Sequence, residues 1–474
     1  MLEPVGPQSA QSTDRDQLDA APYPRPIVAW FVIGVLVTAS LVSFVDRQVV
    51  AIVVEPMKSD LGVGDAQIGW LYGIFAVFHA LAGLPIAYLA DRKRRTRIIA
   101  AGVFVWSVMT MLCGLSRTFW QVLLARMGVG VGEATLGPAT ISLVGDYFPR
   151  PTIPLALSVF QTGAIMGSGL AFIIGGVVLG VVQDAPPLQL PVVGPLGAWQ
   201  QTFLYVGAPG ILLAILLLGL REPVRRHWLP AQREPHGKSR VAPAASGDQS
   251  DLKASLRALL GHYRQHRWTL LWHHLGFLSF ALLGYAFVFW TVSYFTRVHG
   301  MQAAEASRLF GFIFLIAGPL GAIWAGLQAR WFAARGRRDA CIVVGMIGGG
   351  VTMIVILLIQ LMPNPTGAFL LYIPAMFFVN SPFGIANGAL PVMTPPSMRA
   401  QVGAVYMFVS SMGMLLGPPI AGIFNERIFP GGDGVRYSIA SVTLLFGCLG
   451  LLFLWLGRKP YARSLAEMEL QAQG

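Results

Sequence analysis

Long apolar stretches alternate with short polar loops along almost the whole chain. A helix that crosses a bilayer needs about 20 mostly apolar residues, and twelve stretches approach or exceed that length. They are residues 27–54, 66–90, 98–115, 118–145, 153–182, 200–220, 270–296, 304–329, 340–361, 367–394, 400–424 and 436–457. We number them as spans 1 to 12. The pattern predicts an all-α membrane protein with twelve transmembrane helices in two six-helix halves.

The polar segments predict how the chain is divided. We expect an N-terminal tail at 1–26, a first half at 27–220, a linker at 221–269, a second half at 270–457 and a C-terminal tail at 458–474. Within the linker, residues 251–262 have the pattern of a short amphipathic helix that could lie on the membrane face.

The basic residues predict the orientation. Of the 34 Lys and Arg residues, 26 fall in the loops and tails on one side of the predicted membrane, and six lie at or near the other side. Cytoplasmic loops are enriched in Lys and Arg, so we expect both termini and the linker in the cytoplasm. The N-terminal tail lacks a basic-then-apolar signal peptide pattern. We therefore expect an uncleaved protein of a bacterial inner membrane.

The composition narrows the function classes. Only 12% of the residues are charged and 55% are hydrophobic, whereas a soluble protein has about 25% charged residues. The net charge of +12 is explained by the cytoplasmic loops and does not require a nucleic-acid partner. The three cysteines lie singly in apolar stretches and match no disulfide or metal spacing. We expect no metal and no cofactor.

The two halves carry related features. Span 2 ends in a basic cluster at 92–95, and span 8 ends in another at 335–338. Span 5 has Gly163 and Gly167, and span 11 has Gly413 and Gly417 at the same spacing. Paired halves of this kind are typical of transporters built from structural repeats.

Two motifs extend this comparison to a known family. The chain resembles the major facilitator superfamily at Asp91, Arg92, Arg94 and Arg95 after span 2 and at Arg126, Gly130 and Gly132 in span 4. Arg94 stands where the superfamily usually has glycine. Span 5 has Ser168 where antiporters of the superfamily have proline, so antiport does not follow. The resemblance implies a single-chain transporter that works by alternating access.

Two longer stretches are similar to the Spinster-type branch of that superfamily. They are FVDRQVVAIVV at 44–54 and RMGVGVGEAT at 126–135. This similarity implies a carrier of lysophospholipids or sphingoid lipids, with protons as the proposed coupling ion. Neighbouring bacterial branches that carry organic anions share such features, so a small organic anion or a drug is the alternative substrate.

Charged residues inside spans are the best candidates for function, because a charge in hydrocarbon is costly. Asp46 and Arg126 lie at the same depth, about 12 Å below the outer surface, which suggests an ion pair. Glu133 lies about 10 Å deeper on the same helix face as Arg126. We predict that Arg126 moves between Asp46 and Glu133 and so couples protonation to transport. The alternative is a fixed pair that holds spans 1 and 4 together.

The predicted substrate site has a charged side and an apolar side, which suits an amphipathic molecule. We assign it to Arg47, Arg126, Glu133, Gln161, Tyr285, Phe289, Asn380, Ser381 and Tyr406. Arg47 could bind a phosphate or carboxylate head group through its planar guanidinium. It could equally extend to the outer interface, and the aromatic residues could simply pack or face lipid.

A further group of charges follows spans 2 and 4 on the inner side. We predict a gate formed by Asp91, Arg92, Arg95, Asp146 and Arg150. Membrane topology alone would explain the arginines but not the acidic residues.

The sequence therefore favours a proton-linked carrier of an amphipathic substrate, working as a monomer in the lipid bilayer. A membrane enzyme would need a nucleophile with a histidine or metal partner at one depth. The spans contain no such group, so we expect no enzyme activity.

Overall fold

The computed structural model describes residues 23–191, 193–225, 249–395 and 398–473. The helices of the first half are α1 (Pro26–Ile52), α2 (Val54–Leu61), α3 (Asp65–Arg92), α4 (Arg95–Leu115), α5 (Phe119–Glu133), α6 (Leu136–Tyr147), α7 (Ile153–Gln183) and α8 (Ala198–Leu218). A small antiparallel hairpin, β1 (Leu188–Leu190) and β2 (Gly194–Leu196), lies between α7 and α8.

The linker contains α9 (Gln249–Gln265). The helices of the second half are α10 (Arg267–His299), α11 (Ala303–Ala334), α12 (Ala340–Gln360), α13 (Pro365–Val392), α14 (Arg399–Ile423) and α15 (Gly434–Gln473). A π-helical turn at Phe424–Ile428 extends α14. Helix α9 covers the linker segment where a short helix is expected. The tail at 1–22 and the linker residues 226–248 lie outside the described residues.

Span 4 is broken into α5 and α6, which the hydrophobic pattern does not reveal. Pro138 has no N–H to donate to the carbonyl of Ala134, and its ring disfavours a continuous helix four residues earlier. Helix α5 accordingly ends at Glu133, and α6 begins at Leu136. The break places the acidic side chain at a helix end in the middle of a predicted span.

Eleven helices of the described part of the chain are long and apolar enough to cross a membrane. The broken helix at 119–147 accounts for the remaining predicted span, since neither of its pieces is long enough alone. The predicted all-helical membrane fold is confirmed. The orientation with cytoplasmic termini stays a prediction, and we use it to name the inner side, which carries the basic loops, and the outer side.

The two halves pack through α3 against α14 and through α7 against α11. Small residues allow this, because helices in a membrane associate by close backbone approach. A Cβ atom on Gly311 would lie 2.7 Å from the carbonyl oxygen of Gly169, and one on Gly69 would lie 2.7 Å from the backbone of Pro419. These contacts lie from the middle of the helices towards the outer side, so the halves meet there.

Candidate functional site

The centre of the first half contains an ion pair between α1 and α5. Arg47 donates from Nη2 to Oε2 of Glu133 over 2.8 Å. The Ser43 hydroxyl donates to the same oxygen over 2.6 Å. Glu133 is almost completely buried, and its Oε1 atom has no hydrogen-bond partner among the described residues. At the helix break, one oxygen of the Glu133 carboxylate therefore accepts two hydrogen bonds and the other accepts none from a described residue.

Arg126 has other hydrogen-bond partners than the sequence analysis predicts. Its side chain is fully buried and donates to two backbone carbonyls, that of Asp46 over 3.0 Å and that of Leu71 over 3.4 Å. The expected ion pair between the side chains of Asp46 and Arg126 is therefore not formed in this arrangement. Neither carboxylate oxygen of Asp46 accepts a hydrogen bond at normal geometry from a described residue.

Aromatic rings complete the surroundings of the two arginines. The Arg47 guanidinium carbon lies 4.6 Å from the ring centres of both Phe44 and Phe75, and that of Arg126 lies 5.6 Å from Phe75. Ring faces attract a cation at these distances. Phe75 thus contacts both guanidinium groups.

A cavity of about 440 Å³ lies between the halves. Four predicted binding residues line it: Arg47, Gln161, Tyr285 and Asn380. The sequence analysis missed several others, which are Phe44, Gln48, Tyr72, Ser168, Val288, Phe314, Phe383 and Asn387. Helical spacing could have found some of them. Ser168 follows Gln161 by seven residues, and Asn387 follows Asn380 by seven, so each lies on the same face as a predicted residue.

The other predicted binding residues do not line this cavity. Phe289 is buried against Tyr72 and Trp290, and Ser381 is buried beside Gly348. Tyr406 is buried against His273 and His274 near the inner end of α10.

Arg126 and Glu133 are also buried and do not line the cavity. Glu133 is joined to it through Arg47, which lines the cavity, and Arg126 donates to the carbonyl of Leu71, the residue before the cavity residue Tyr72. Arg47 is consequently the one charged side chain among the residues that line this cavity, and 19% of its side chain is exposed.

On the inner side, Arg95 joins three elements of the first half. Its side chain is buried and pairs with Asp146 over 2.5 Å and with Glu222 over 2.8 Å. Arg95 and Asp146 were both predicted for a gate here, while Glu222 was not. Arg92 instead lies over the ring of Tyr88, 3.7 Å from its centre. The side chains of Asp91 and Arg150 lie outside what the structure describes.

Glu222 caps the start of α4 from the segment that follows α8. It accepts hydrogen bonds from the backbone N–H and the hydroxyl of Thr96, over 3.0 and 2.9 Å. Burial opposes the charged form of Glu222, but the hydrogen bonds from Thr96 and Arg95 outweigh it and lower the pKa of Glu222 below its ordinary value. Arg225 donates to the carbonyls of Ala90 and Lys93 nearby. This segment therefore secures the α3–α4 loop.

On the outer side, a cluster of charges joins the two halves. Arg297 of α10 pairs with Asp65 of α3 over 2.5 and 2.9 Å and with Glu55 of α2 over 2.8 Å. Lys58 also pairs with Asp65, and Asn425 donates to it over 2.9 Å. We call these five residues the outer cluster. The sequence does not predict this cluster, since its members come from segments that are far apart along the chain.

The described ion pairs on the inner side, in contrast, each stay within one half. Arg95 pairs only within the first half, and Asp339 pairs with Arg337 and Arg458 within the second. Together with the close backbone contacts on the outer side, this distribution describes an inward-facing arrangement. The two halves are tied together outside, and the cavity lies on the inner side of that closure.

The chain is similar in sequence to known membrane transporters. The Major Facilitator Superfamily model matches residues 36–393. An MFS-type efflux pump of Mycolicibacterium smegmatis is 24% identical over 97% of this chain and 99% of its own length. The sphingosine-1-phosphate transporter SPNS2 of Mus musculus is 26% identical over 83% of this chain and 69% of its own length.

A solved structure has the same fold. A bacterial homologue of the human lysosomal transporter Spinster, in an inward-facing and unoccupied conformation, superposes with a TM-score of 0.74. It is 24% identical in sequence, and the match covers 94% of this chain and 99% of that one.

Proposed function

Since this chain belongs to the major facilitator superfamily, we propose that it carries an amphipathic, lipid-like anion across the membrane in a proton-coupled cycle of alternating access. The superfamily and the similarity to Spinster-type proteins, both expected from the sequence motifs, are confirmed. The chain is a transporter and not an enzyme, as also expected. The substrate class and the coupling ion form the proposal.

The observation that carries the proposal is the position of Arg47. It lines the cavity and at the same time pairs with Glu133 behind it. A guanidinium binds carboxylate and phosphate through planar paired hydrogen bonds, so Arg47 is the group to which an anionic head group would bind. This assignment replaces Arg126, whose side chain is committed to backbone carbonyls.

The remainder of the cavity wall suits an apolar tail. Val288, Phe314 and Phe383 face the cavity from the second half, and the amides of Asn380 and Asn387 lie among them. An acyl or sphingoid chain would pack on the apolar groups with its head at Arg47. Burial of apolar surface stabilises such a complex by about 25 cal/mol per Å².

Competition for Arg47 provides the proposed coupling. When an anion takes the guanidinium, Glu133 loses its counter-charge and stays buried. A buried carboxylate without a cation is most stable as the neutral acid, so substrate binding and protonation of Glu133 would favour each other. The substrate anion and the proton would then cross together.

Asp46 and Arg126 serve as the second proton site in this scheme. Asp46 is fully buried, and neither of its carboxylate oxygens accepts a hydrogen bond at normal geometry from a described residue. The Nη2 atom of Arg126 also has no partner among the described residues. A small tilt of α5 against α1 would let Arg126 move from the carbonyl of Asp46 to its carboxylate. Asp46 would then release its proton as the cavity changes the side to which it opens.

A small organic anion or a drug is the second candidate substrate. The cavity of about 440 Å³ lies within the range of drug-sized ligand sites, about 300–1,000 Å³. The similar efflux pump is consistent with this candidate. Both candidates use Arg47 for the anionic group, and they differ in the length of the apolar part.

Transport into proteoliposomes with an imposed pH gradient tests the proposal. We would compare a labelled lysophospholipid with a short-chain organic anion in wild type, Asp46→Asn, Glu133→Gln and the control Glu305→Gln. Glu305 is an exposed acid at the outer end of α11. Exchange of labelled for unlabelled substrate without a gradient measures binding and alternation separately from coupling.

We expect gradient-driven uptake of the lysophospholipid by wild type and by the control variant. Asp46→Asn and Glu133→Gln should lose the response to the gradient by about tenfold or more and keep exchange. Uptake of the short anion without uptake of the lysophospholipid would favour the second candidate substrate over the lipid. Gradient-driven uptake by both acid variants at the wild-type rate would overturn the coupling scheme.

A further inference from the structure

A second cavity of about 540 Å³ lies on the membrane face of the first half, away from the site described above. Its apolar wall is formed by Ile86, Leu89, Ile98, Ala101, Gly102, Val105, Val131, Gly132 and Thr135. Its rim consists of Lys93, Arg94 and Arg97. We call the whole feature the basic groove. The proposed transport function does not use it.

The groove results from the way three helices pack. Helices α3 and α4 are consecutive but barely touch each other, while both pack against α5. The backbone at Gly102 approaches Gly132 and Thr135 closely, so the break between α5 and α6 forms the floor. Leu89, Val105 and Val131 are each more than a third exposed, which places the opening towards the lipid.

The rim is positively charged. The side chains of Lys93, Arg94 and Arg97 are exposed, and none forms an ion pair with a side chain that the structure describes. The neighbouring acids Asp146 and Glu222 are both engaged by Arg95. Three cations thus lie at the inner end of an apolar groove, and no described acidic side chain pairs with them.

The depth of the groove matches one leaflet of a bilayer. From Arg97 to Val105 the wall extends eight residues along α4, or about 12 Å. The hydrocarbon core of a bilayer is about 30 Å thick, so the groove reaches most of the way to the midplane from the inner surface. Its charge lies at head-group level and its apolar wall lies at acyl-chain level.

We propose that the basic groove binds one anionic phospholipid of the inner leaflet, with its phosphate at Lys93, Arg94 and Arg97 and an acyl chain along Ala101 and Val105. Basic pockets between transmembrane helices on the cytoplasmic side suit such head groups. The apolar wall distinguishes this occupant from free phosphate, which has nothing to place there. A zwitterionic lipid would leave the three cations without a net counter-charge.

The test is native mass spectrometry of the full-length protein in mild detergent with added dioleoyl phosphatidylglycerol or dioleoyl phosphatidylcholine. One variant removes the rim charges: Lys93→Gln, Arg94→Gln and Arg97→Gln. A matched control removes three exposed charges of the second half: Arg330→Gln, Arg335→Gln and Arg463→Gln. A separate single variant, Ala101→Trp, fills the groove and keeps the rim. Size-exclusion chromatography checks that each variant is intact.

We expect wild type and the matched control to retain one phosphatidylglycerol in preference to phosphatidylcholine. Three cations at a head group correspond to a preference on the order of a hundredfold. The rim variant and Ala101→Trp should each lose this bound lipid, and millimolar inorganic phosphate should not displace it. Ala101→Trp keeps the proposal testable if the triple variant does not fold.

Three outcomes would overturn the proposal. Equal retention of the two lipids by wild type would remove the role of charge. Equal losses in the rim variant and the matched control would indicate general electrostatic attraction. Retention by Ala101→Trp together with displacement by phosphate would indicate a phosphate site without an acyl-chain groove. None of these outcomes depends on the substrate or on proton coupling.

Discussion

Arg47 donates from Nη2 to Oε2 of Glu133 over 2.8 Å, although 86 residues separate them along the chain. Ser43, one turn before Arg47 on the same helix, donates to the same oxygen over 2.6 Å. Arg47 lines the cavity, and the buried residue Asp46 precedes it on the same helix. In the proposed cycle the Arg47–Glu133 pair therefore connects the substrate to the proton sites.

Removal of Arg47 alone should destabilise the protein more than removal of both partners. Arg47→Gln leaves Glu133 buried without a cation, which typically costs about 3–5 kcal/mol for a buried pair, and less here because part of Arg47 is exposed. The double variant Arg47→Gln with Glu133→Gln should recover most of that loss. Thermal unfolding in detergent, followed by tryptophan fluorescence, measures both. If the double variant were no more stable than Arg47→Gln, the unpaired Glu133 carboxylate would not be the cause of the lost stability.

The outer cluster should hold the inward-facing arrangement. Arg297→Gln removes hydrogen bonds to two carboxylates, each worth about 1.5–3 kcal/mol, and leaves Asp65 with Lys58 and Asn425. The outward-facing population should rise by tenfold or more. Spin labels on Ser59 and Arg427, in a cysteine-free background, report the outer distance by pulsed electron paramagnetic resonance.

A matched control for that experiment is Glu305→Gln, which removes an exposed outer acid. It should leave the distance distribution unchanged. If Arg297→Gln also left it unchanged, the cluster would be no more than a surface group of charges.

The transport rate should depend on the close packing of α7 against α11. A Cβ atom on Gly169 would lie 2.6 Å from the backbone of Leu315, whereas one on Gly180 would lie 3.5 Å from Ala304. Overpacking of this kind costs about 1–3 kcal/mol. Gly169→Ala should therefore lower the transport rate by about tenfold, and Gly180→Ala on the same helix should not. Equal rates in the two variants would show that the halves need not approach so closely there.

Phe314 should set the preference for long apolar chains. It lines the cavity, whereas Phe312 on the same helix is 53% exposed and does not. Full burial of such a side chain is worth about 1.5–3 kcal/mol, so Phe314→Ala should raise KM for a long-chain substrate by about tenfold. KM for a short anion should change little, and Phe312→Ala should change neither. A uniform rise in KM across chain lengths would contradict a tail site at Phe314.

The Glu222 cap should stabilise the first half in a pH-dependent way. Its pKa is lowered in the folded protein from an ordinary value of 4.5. A lowered pKa means that the stabilisation is present above about pH 4.5 and is lost as the pH falls through the folded value. Glu222→Gln should therefore lower stability at pH 7 by about 1–3 kcal/mol.

The difference between wild type and Glu222→Gln should shrink below pH 4.5, when the wild-type carboxylate takes up a proton. Thermal unfolding from pH 3 to pH 8 measures this difference. Glu305→Gln serves as the control, because its exposed carboxylate forms no described ion pair. A difference that does not change with pH would assign the effect to packing instead of charge.

The membrane crossings, the superfamily and a short set of candidate charged residues all follow from the sequence. Hydrophobic length and the basic loops have direct physical causes in the bilayer, so they can be read along the chain. The cost of a charge in hydrocarbon identified Asp46, Arg47, Arg126 and Glu133 without any contact information. Acidic residues among the basic loops after spans 2 and 4 indicated the gate that includes Arg95 and Asp146.

Which charged side chains pair with each other depends on how the helices pack. Depth along a helix follows from counting residues, but direction around it does not. Asp46 and Arg47 lie at nearly the same depth and point about 100° apart, so the rotation of α1 alone makes Arg47 the partner of Glu133. The break after Glu133 depends on a single proline. The outer cluster joins α2, α3 and α10 across more than 200 residues, a relationship that local patterns do not encode.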